Sequence, residues 1–196
     1  MKHRQTSSIG EFIVVDEHQQ GYSRTEVDAY FAGLADDFEL LRKGIPDSRV
    51  QSSADIRQQT FDSEQGGYSP SDVDHALDRV EDRFAEFERR LFIEKHGRIA
   101  WEHAVEETAE LVMGRLNRTE GHRFRRPSHK LTKGYFVKDV DALCNRLRDH
   151  FRSAEELSPA VIRNAVFSSA TGDMCYEETQ VDAFLDRCIS LMLDLR

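Results

Sequence analysis

Little in this chain suits catalysis. Its 196 residues contain no glycine-rich phosphate loop, no G-x-S-x-G elbow and no H-E-x-x-H pair. There are three cysteines, Cys144, Cys175 and Cys188, an odd number with no C-x-x-C spacing. This pattern predicts reduced, buried thiols in a reducing cytoplasm. The eight histidines are scattered. His96 and His103, with Glu102 and Glu106 nearby, lack a third and fourth ligand at metal-site spacing, so no metal and no cofactor is expected. No apolar run approaches the ~20 residues needed to cross a bilayer. No apolar stretch follows Met1–Thr6, so no signal peptide is expected. Residues 1–11 read as a loose tail. A net charge of −9, from 27 basic and 36 acidic residues, makes the chain a poor general binder of nucleic acid. The high charged fraction, 32%, suits helices with charged flanks better than one thick core.

What the chain does have is a repeat: a tyrosine, four residues, then Val-Asp. It occurs at Tyr22-Val27-Asp28, Tyr68-Val73-Asp74, Tyr135-Val140-Asp141 and Tyr176-Val181-Asp182. Gly21, Gly67 and Gly134 directly precede the first three tyrosines. Each copy encodes a helix start. With the N-cap placed just after the tyrosine, Glu26, Asp72, Asp139 and Gln180 fall three positions on, and Ser23 with Glu26 makes a capping box. Pro70 stands at a first helical position, where proline is well tolerated. Tyr and Val take the two positions of a hydrophobic staple. The glycines suggest a sharp entering turn. The Asp is assigned to the positive end of the helix dipole.

Each start leads into an apolar stripe at alternating steps of four and three. In the second copy it reads Leu77, Val80, Phe84 and Phe87, a pairing seam that cannot be buried without a partner helix. The equivalent residues are Phe31, Leu34, Phe38 and Leu41 in the first copy, Cys144, Leu147, Phe151 and Ala154 in the third, and Leu185, Cys188, Met192 and Leu195 in the fourth. A lead-in phenylalanine precedes each copy at Phe12, Phe61, Phe124 and Phe167. Motif helices are predicted over 24–42, from Pro70, over 137–153 and over 178–195. Another helix, carrying Trp101, is predicted over 99–116, and a short turn near Ile162. A kink or helix end is expected at Gly97. The expected fold is all-α, with coiled-coil-like seams and little or no sheet. The units are residues 1–48, 49–118 (with the Trp101 helix), 119–157 and 158–196. The natural halves group copies one and two with the Trp101 helix, and copies three and four together.

The stretch from Arg115 to Lys138 departs from the average, with eight Lys/Arg and only Glu120 as an acid. Arg123, Phe124, Arg125 and Arg126 could touch an anionic membrane, the arginines on headgroups and the ring inserted. The competing reading, favoured because every copy has such a phenylalanine, is that Phe124 packs in the core.

The Gly-Tyr-x4-Val-Asp unit feeding a seam helix resembles the N-terminal domain of DivIVA, the bacterial polar and septal scaffold, and multi-copy DivIVA-repeat proteins. The nearest fragments are Gly67–Asp74 and Tyr176–Asp186, and all four copies fit. The resemblance implies a non-enzymatic, cytoplasmic scaffold of cell division or polar growth, on the inner face of the membrane at septum or pole. It also implies parallel helix pairing with crossed lead-in loops. The partner would be a second copy of this chain, in a homo-oligomer, or another DivIVA-type protein. The family's membrane-inserting Phe-Arg pair has no counterpart here, where the residues before the first three Gly-Tyr pairs read Gln19-Gln20, Gln65-Gly66 and Thr132-Lys133. Whether copies pair within one chain or between chains stays open from sequence.

Overall fold

The structure, a computed structural model, describes residues 12–44, 50–153 and 156–196. The tail expected over residues 1–11 and the stripe residue Ala154 lie outside the described residues. The chain divides into two compact units, Met1–Leu91 and Phe92–Arg196.

In the first unit, β1 (Gln20–Tyr22) leads into α1 (Arg24–Arg42). After a short α2 (Ser53–Arg57), β2 (Ser63–Gln65) leads into α3 (Pro70–His96), which continues past the unit boundary. The second unit holds α4 (Arg98–Leu116), β3 (Lys133–Phe136) and α5 (Val137–Ser153). These are followed by α6 (Ala160–Arg163), β4 (Ser169–Thr171), β5 (Cys175–Tyr176) and α7 (Glu178–Asp194). Gly97, at φ +87, ends α3 and opens α4, so the polar gap in the stripe is a helix end.

The helices begin where the motif places them, but the expectation of an all-α chain with little or no sheet is overturned. The fold is mixed: the described residues form one antiparallel sheet of two strands and another of three. The backbone around each Gly-Tyr is extended and pairs with the other copy of its unit. In the first unit Gln20, Gly21 and Tyr22 lie opposite Gln65, Glu64 and Ser63. In the second, β3 takes β4 on one side, with Tyr135 opposite Ser169, and β5 on the other, with Tyr135 opposite Tyr176. Burying these amides without partners would cost more than the strands do, and the crossing satisfies them.

The crossing also corrects the glycine reading. Gly21, Gly67 and Gly134 do not have positive φ. They are small because another backbone passes over them. A Cβ on Gly21 would lie 2.4 Å from the Tyr68 carbonyl oxygen, one on Gly67 2.3 Å from that of Tyr22, and one on Gly134 2.1 Å from that of Tyr176.

From each crossing two helices set out together. In the first unit Val27, Phe31 and Leu34 of α1 meet Val73, Leu77 and Phe84 of α3 in one buried cluster. Phe38 and Phe84, each eleven residues after its motif Val, have ring centroids 5.9 Å apart, so the helices are parallel and in register. Val80 and Phe87 of the predicted seam are half-buried, and Phe87 stacks edge-on against Phe38 at 4.9 Å. One flank of the pair is closed by α2, whose Ile56 is fully buried and whose Arg57 pairs with buried Glu81 at 2.6 Å. The second unit repeats that plug with Ile162 of α6, five residues before Phe167 as Ile56 is before Phe61.

The Trp101 helix, placed by sequence with copy two, belongs to the second unit. α4 packs on both α5 and α7 and buries Val112 and Leu116 completely. Cys144 and Cys188 are buried free thiols, as the stripe implied, and burial pushes the Cys144 thiol up to about 12.

Candidate interaction site

The two copies of each unit are joined by four kinds of link, and each link occurs in all four copies. The first joins the motif tyrosine to the motif aspartate of the other copy. Tyr68 donates to Asp28 at 3.1 Å and Tyr176 to both oxygens of Asp141 at 3.2 Å. Tyr22 likewise faces Asp74, and Tyr135 faces Asp182, each close enough for the carboxylate to add to burial in raising the phenol's pKa. The second stacks each tyrosine on the other copy's lead-in phenylalanine. Centroid distances are 5.5 Å for Tyr22–Phe61, 5.3 Å for Tyr68–Phe12, 5.0 Å for Tyr135–Phe167 and 5.2 Å for Tyr176–Phe124.

The third link runs from the amide after each lead-in phenylalanine to the side chain three past the other copy's cap. Ile13 donates to Asp72 (2.9 Å), Asp62 to Glu26 (2.8 Å), Ser168 to Asp139 (2.8 Å) and Arg125 to Gln180 (3.3 Å). The fourth returns the bond through the backbone. Ser69 donates to the Ile13 carbonyl (2.7 Å), Ser23 to Asp62 (2.8 Å), Phe136 to Ser168 (2.8 Å) and Glu177 to Arg125 (3.0 Å). Each hydrogen bond contributes roughly 1 kcal/mol net, and each ring pair about 0.5–1.5 kcal/mol beyond its burial.

The motif is therefore a pairing code. Val27, Val73, Val140 and Val181 are its buried anchors, at most 1% exposed. The aspartates, assigned by sequence to the helix dipole, accept the partner copy's phenol. Glu26 and its equivalents, read as caps, clip the partner copy's lead-in, and Ser23 makes no side-chain cap bond. A full capping box does occur, at Ser52 and Asp55 of α2.

These contacts perturb the titrating groups. Burial pushes Tyr135 and Tyr176 up to about 12, with Asp182 and Asp141 adding to it. Partial burial also raises the Asp74 and Asp182 carboxyls, against the pull of their tyrosine bonds. The Ser168 amide holds Asp139 below the usual carboxylate range.

The basic segment is used inside the second unit. Arg123 is fully buried and gives its guanidinium to Asp141 (3.2 Å) and Asn145 (2.6 Å). Phe124 is 5% exposed, packed on Tyr176 and Phe184, so its ring has no face to present to a membrane. Arg125 is exposed but paired with Glu177 at 2.6 Å. Arg126 lies over the Tyr176 ring and donates to the Gly121 and Cys175 carbonyls. No described helix is long and apolar enough to cross a membrane. Among the described residues, no group of three or more His, Cys, Asp or Glu side chains could hold a metal ion.

Sequence reasoning missed the two buried ion pairs and one surface feature. The feature is a groove of about 440 Å³ on the first unit, between α1 and α3 on the flank away from Ile56. Its floor is Phe31, Leu34, Phe38 and Phe84, and Arg79 and Arg83 stand on its rim. The signal for it was present as two arginines four residues apart beside the stripe, but a solvated helix face reads the same way.

Comparison of the chain with protein-family models, with curated proteins and with solved structures finds no match.

Proposed function

We propose that this chain is a non-enzymatic interaction module of the DivIVA type, acting as a cytoplasmic scaffold component at sites of cell division or polar growth. One observation carries this reading: the four reciprocal links between copies, repeated at identical offsets, start two helices in parallel from crossed loops. That is the pairing the family resemblance implies between two chains, made here inside one. The pairing needs no substrate, metal or cofactor, and it leaves the outer helix faces to meet other proteins. Because the two motif helices of each unit already pair with each other, the partner is expected to pack on a flank of the pair and not to replace one of its helices.

The membrane reading lacks comparable support, since Arg123 and Phe124 are interior. Co-sedimentation with anionic vesicles at low salt is expected to leave the protein in solution. The scaffold reading is tested by imaging a fluorescent fusion in the native cell. Septal or polar fluorescence is expected, and it should be lost when Gly67→Leu blocks the crossing. A diffuse signal from the wild-type fusion would rule the scaffold reading out.

A further inference from the structure

The two units differ on one face, and the second unit indicates what the first is built to receive. In the second unit α4 lies across the α5/α7 pair, and its Arg115 identifies the face that is covered. The Arg115 guanidinium sits 5.3 Å from the Phe124 ring centroid and within electrostatic reach of Cys144 and Arg187. Phe124 is the lead-in phenylalanine of its copy, as Phe12 is in the first unit. Cys144 stands four residues after its motif Val, as Phe31 does. Arg187 stands six residues after its Val, as Arg79 does. Phe12, Phe31 and Arg79 all line the open groove of the first unit. The face that a helix closes in one unit is thus the face left open in the other, and no described element of the first unit lies across it.

We infer that this groove is the docking site for a single amphipathic helix of a partner protein, lying where α4 lies in the second unit and carrying acidic residues on one flank. The apolar floor calls for residues at helical spacing, since a helix in a groove is read through positions three and four apart. The acidic flank follows from one exchange between the units. Ten residues after its motif Val, the second unit has buried Leu191, whereas the first has exposed Arg83. Arg79 stands one turn before Arg83 on the same rim; Arg83 also pairs with exposed Glu86 at 3.2 Å, and the lining carboxylate Asp72 is held by the Ile13 amide, so the first unit offers two cations where the second offers one cation and a leucine. A helix with the basic residues that close α4, Arg115 in its last turn and Arg118 just past its end, is disfavoured there, and one with carboxylates at those places is favoured.

This inference rests on the scaffold reading for its biological setting but has its own test. The probe is a fluorescein-labelled peptide of residues 98–118 carrying Arg115→Glu and Arg118→Glu, with the unsubstituted peptide beside it. Both are titrated with the full chain and followed by anisotropy. The substituted peptide is expected to bind at least tenfold more tightly than the natural one. Reversing the rim with Arg79→Glu and Arg83→Glu should invert that order. Ala35→Trp fills the groove from an exposed position and should abolish binding while leaving helicity unchanged. No saturable binding of the acidic peptide, or equal binding to the Ala35→Trp protein, overturns the proposal. So does a concentration-dependent dimer that Ala35→Trp dissolves, because the occupant would then be a second copy. Failure of the peptide leaves the imaging test untouched, and diffuse fluorescence with intact peptide binding would remove only the scaffold reading.

Discussion

The first and second units solve the same crossing with different cores. Around the crossing they agree link for link: Tyr to Asp, Tyr to Phe, amide to side chain, and amide to carbonyl. Away from it they part. The first unit packs aromatic rings along its seam, Phe31, Phe38, Phe84 and Phe87, and leaves one flank as a groove. The second uses smaller or more flexible side chains, Cys144, Leu147, Cys188 and Met192, and lays a third helix over them. In the second unit α4 packs over α5 and α7, whereas in the first the rings of Phe31, Phe38 and Phe84 floor a groove that no described element of that unit covers. A strong buried ion pair also stands on a different flank in each unit: Arg57–Glu81 against α2, and Arg123–Asp141 beneath the lead-in that follows α4. The difference teaches that the motif specifies pairing alone, and that residues between motifs decide whether the pair is closed.

That comparison can be broken most sharply at the ion pairs. Arg123→Met leaves Asp141 buried without its guanidinium and is expected to cost about 3–5 kcal/mol. The loss should appear in the unfolding transition of Trp101, the single tryptophan, which lies in the second unit. Arg57→Met should cost a similar amount and appear in far-ultraviolet circular dichroism, with the Trp101 transition in place. If both substitutions move both signals together, the two-unit description fails. Next come the glycines. Gly21→Ala and Gly134→Ala force a Cβ into backbone and should each cost about 1–3 kcal/mol in urea titrations. Gly33→Ala, in α1 with nothing within 4 Å, should stabilise by about 0.5–1 kcal/mol.

Smaller effects separate the buried tyrosine bond from the exposed one. Tyr176→Phe removes a donor from buried Asp141 and should cost about 1–3 kcal/mol, against about 0.5–1.5 kcal/mol for Tyr68→Phe on exposed Asp28. Equal costs would mean that burial does not distinguish the two crossings. The smallest effect is a pH dependence. Tyr135 and Tyr176 titrate near 12 folded and near 10 unfolded, so the folded state holds the proton longer. Their contribution is intact below pH 10 and is lost as pH rises from 10 to about 12. Urea midpoints across that window should fall less steeply in the Tyr135→Phe/Tyr176→Phe protein than in wild type.

Helix starts were legible in the sequence because their determinants are local. Pro70, the alternating stripe and the Tyr-x4-Val spacing place α1, α3, α5 and α7 within a residue or so. The sheets were not, because strands of two to four residues are too short for a period-two pattern and their partners lie far along the chain, as Gln20 and Gln65 do. The same distance hid the roles of Asp28 and Glu26. Each sits where a helix N-terminus welcomes a carboxylate, so a local explanation sufficed and the cross-copy bond went unseen. α4 was grouped with copy two by chain continuity, whereas it packs on α5 and α7 and buries Val112 and Leu116. Phe124 was legible as core because four copies shared its position. The burial of Arg123 was not, since the matching residues Glu11, Thr60 and Val166 share nothing with it.

Joining two copies on one chain has a consequence beyond stability. A pair made of two identical chains must repeat every substitution on both sides of its axis and dissociates on dilution. A tethered pair holds its halves at an effective concentration on the order of millimolar whatever the amount of protein present. It can also change one half alone. Cys175 where other copies have glycine, Phe136 where two have serine, and Arg123 beneath a single crossing are such one-sided changes. Freed from symmetry, each unit can offer two unlike faces, so it can hold one neighbour on one side and a different neighbour, or none, on the other.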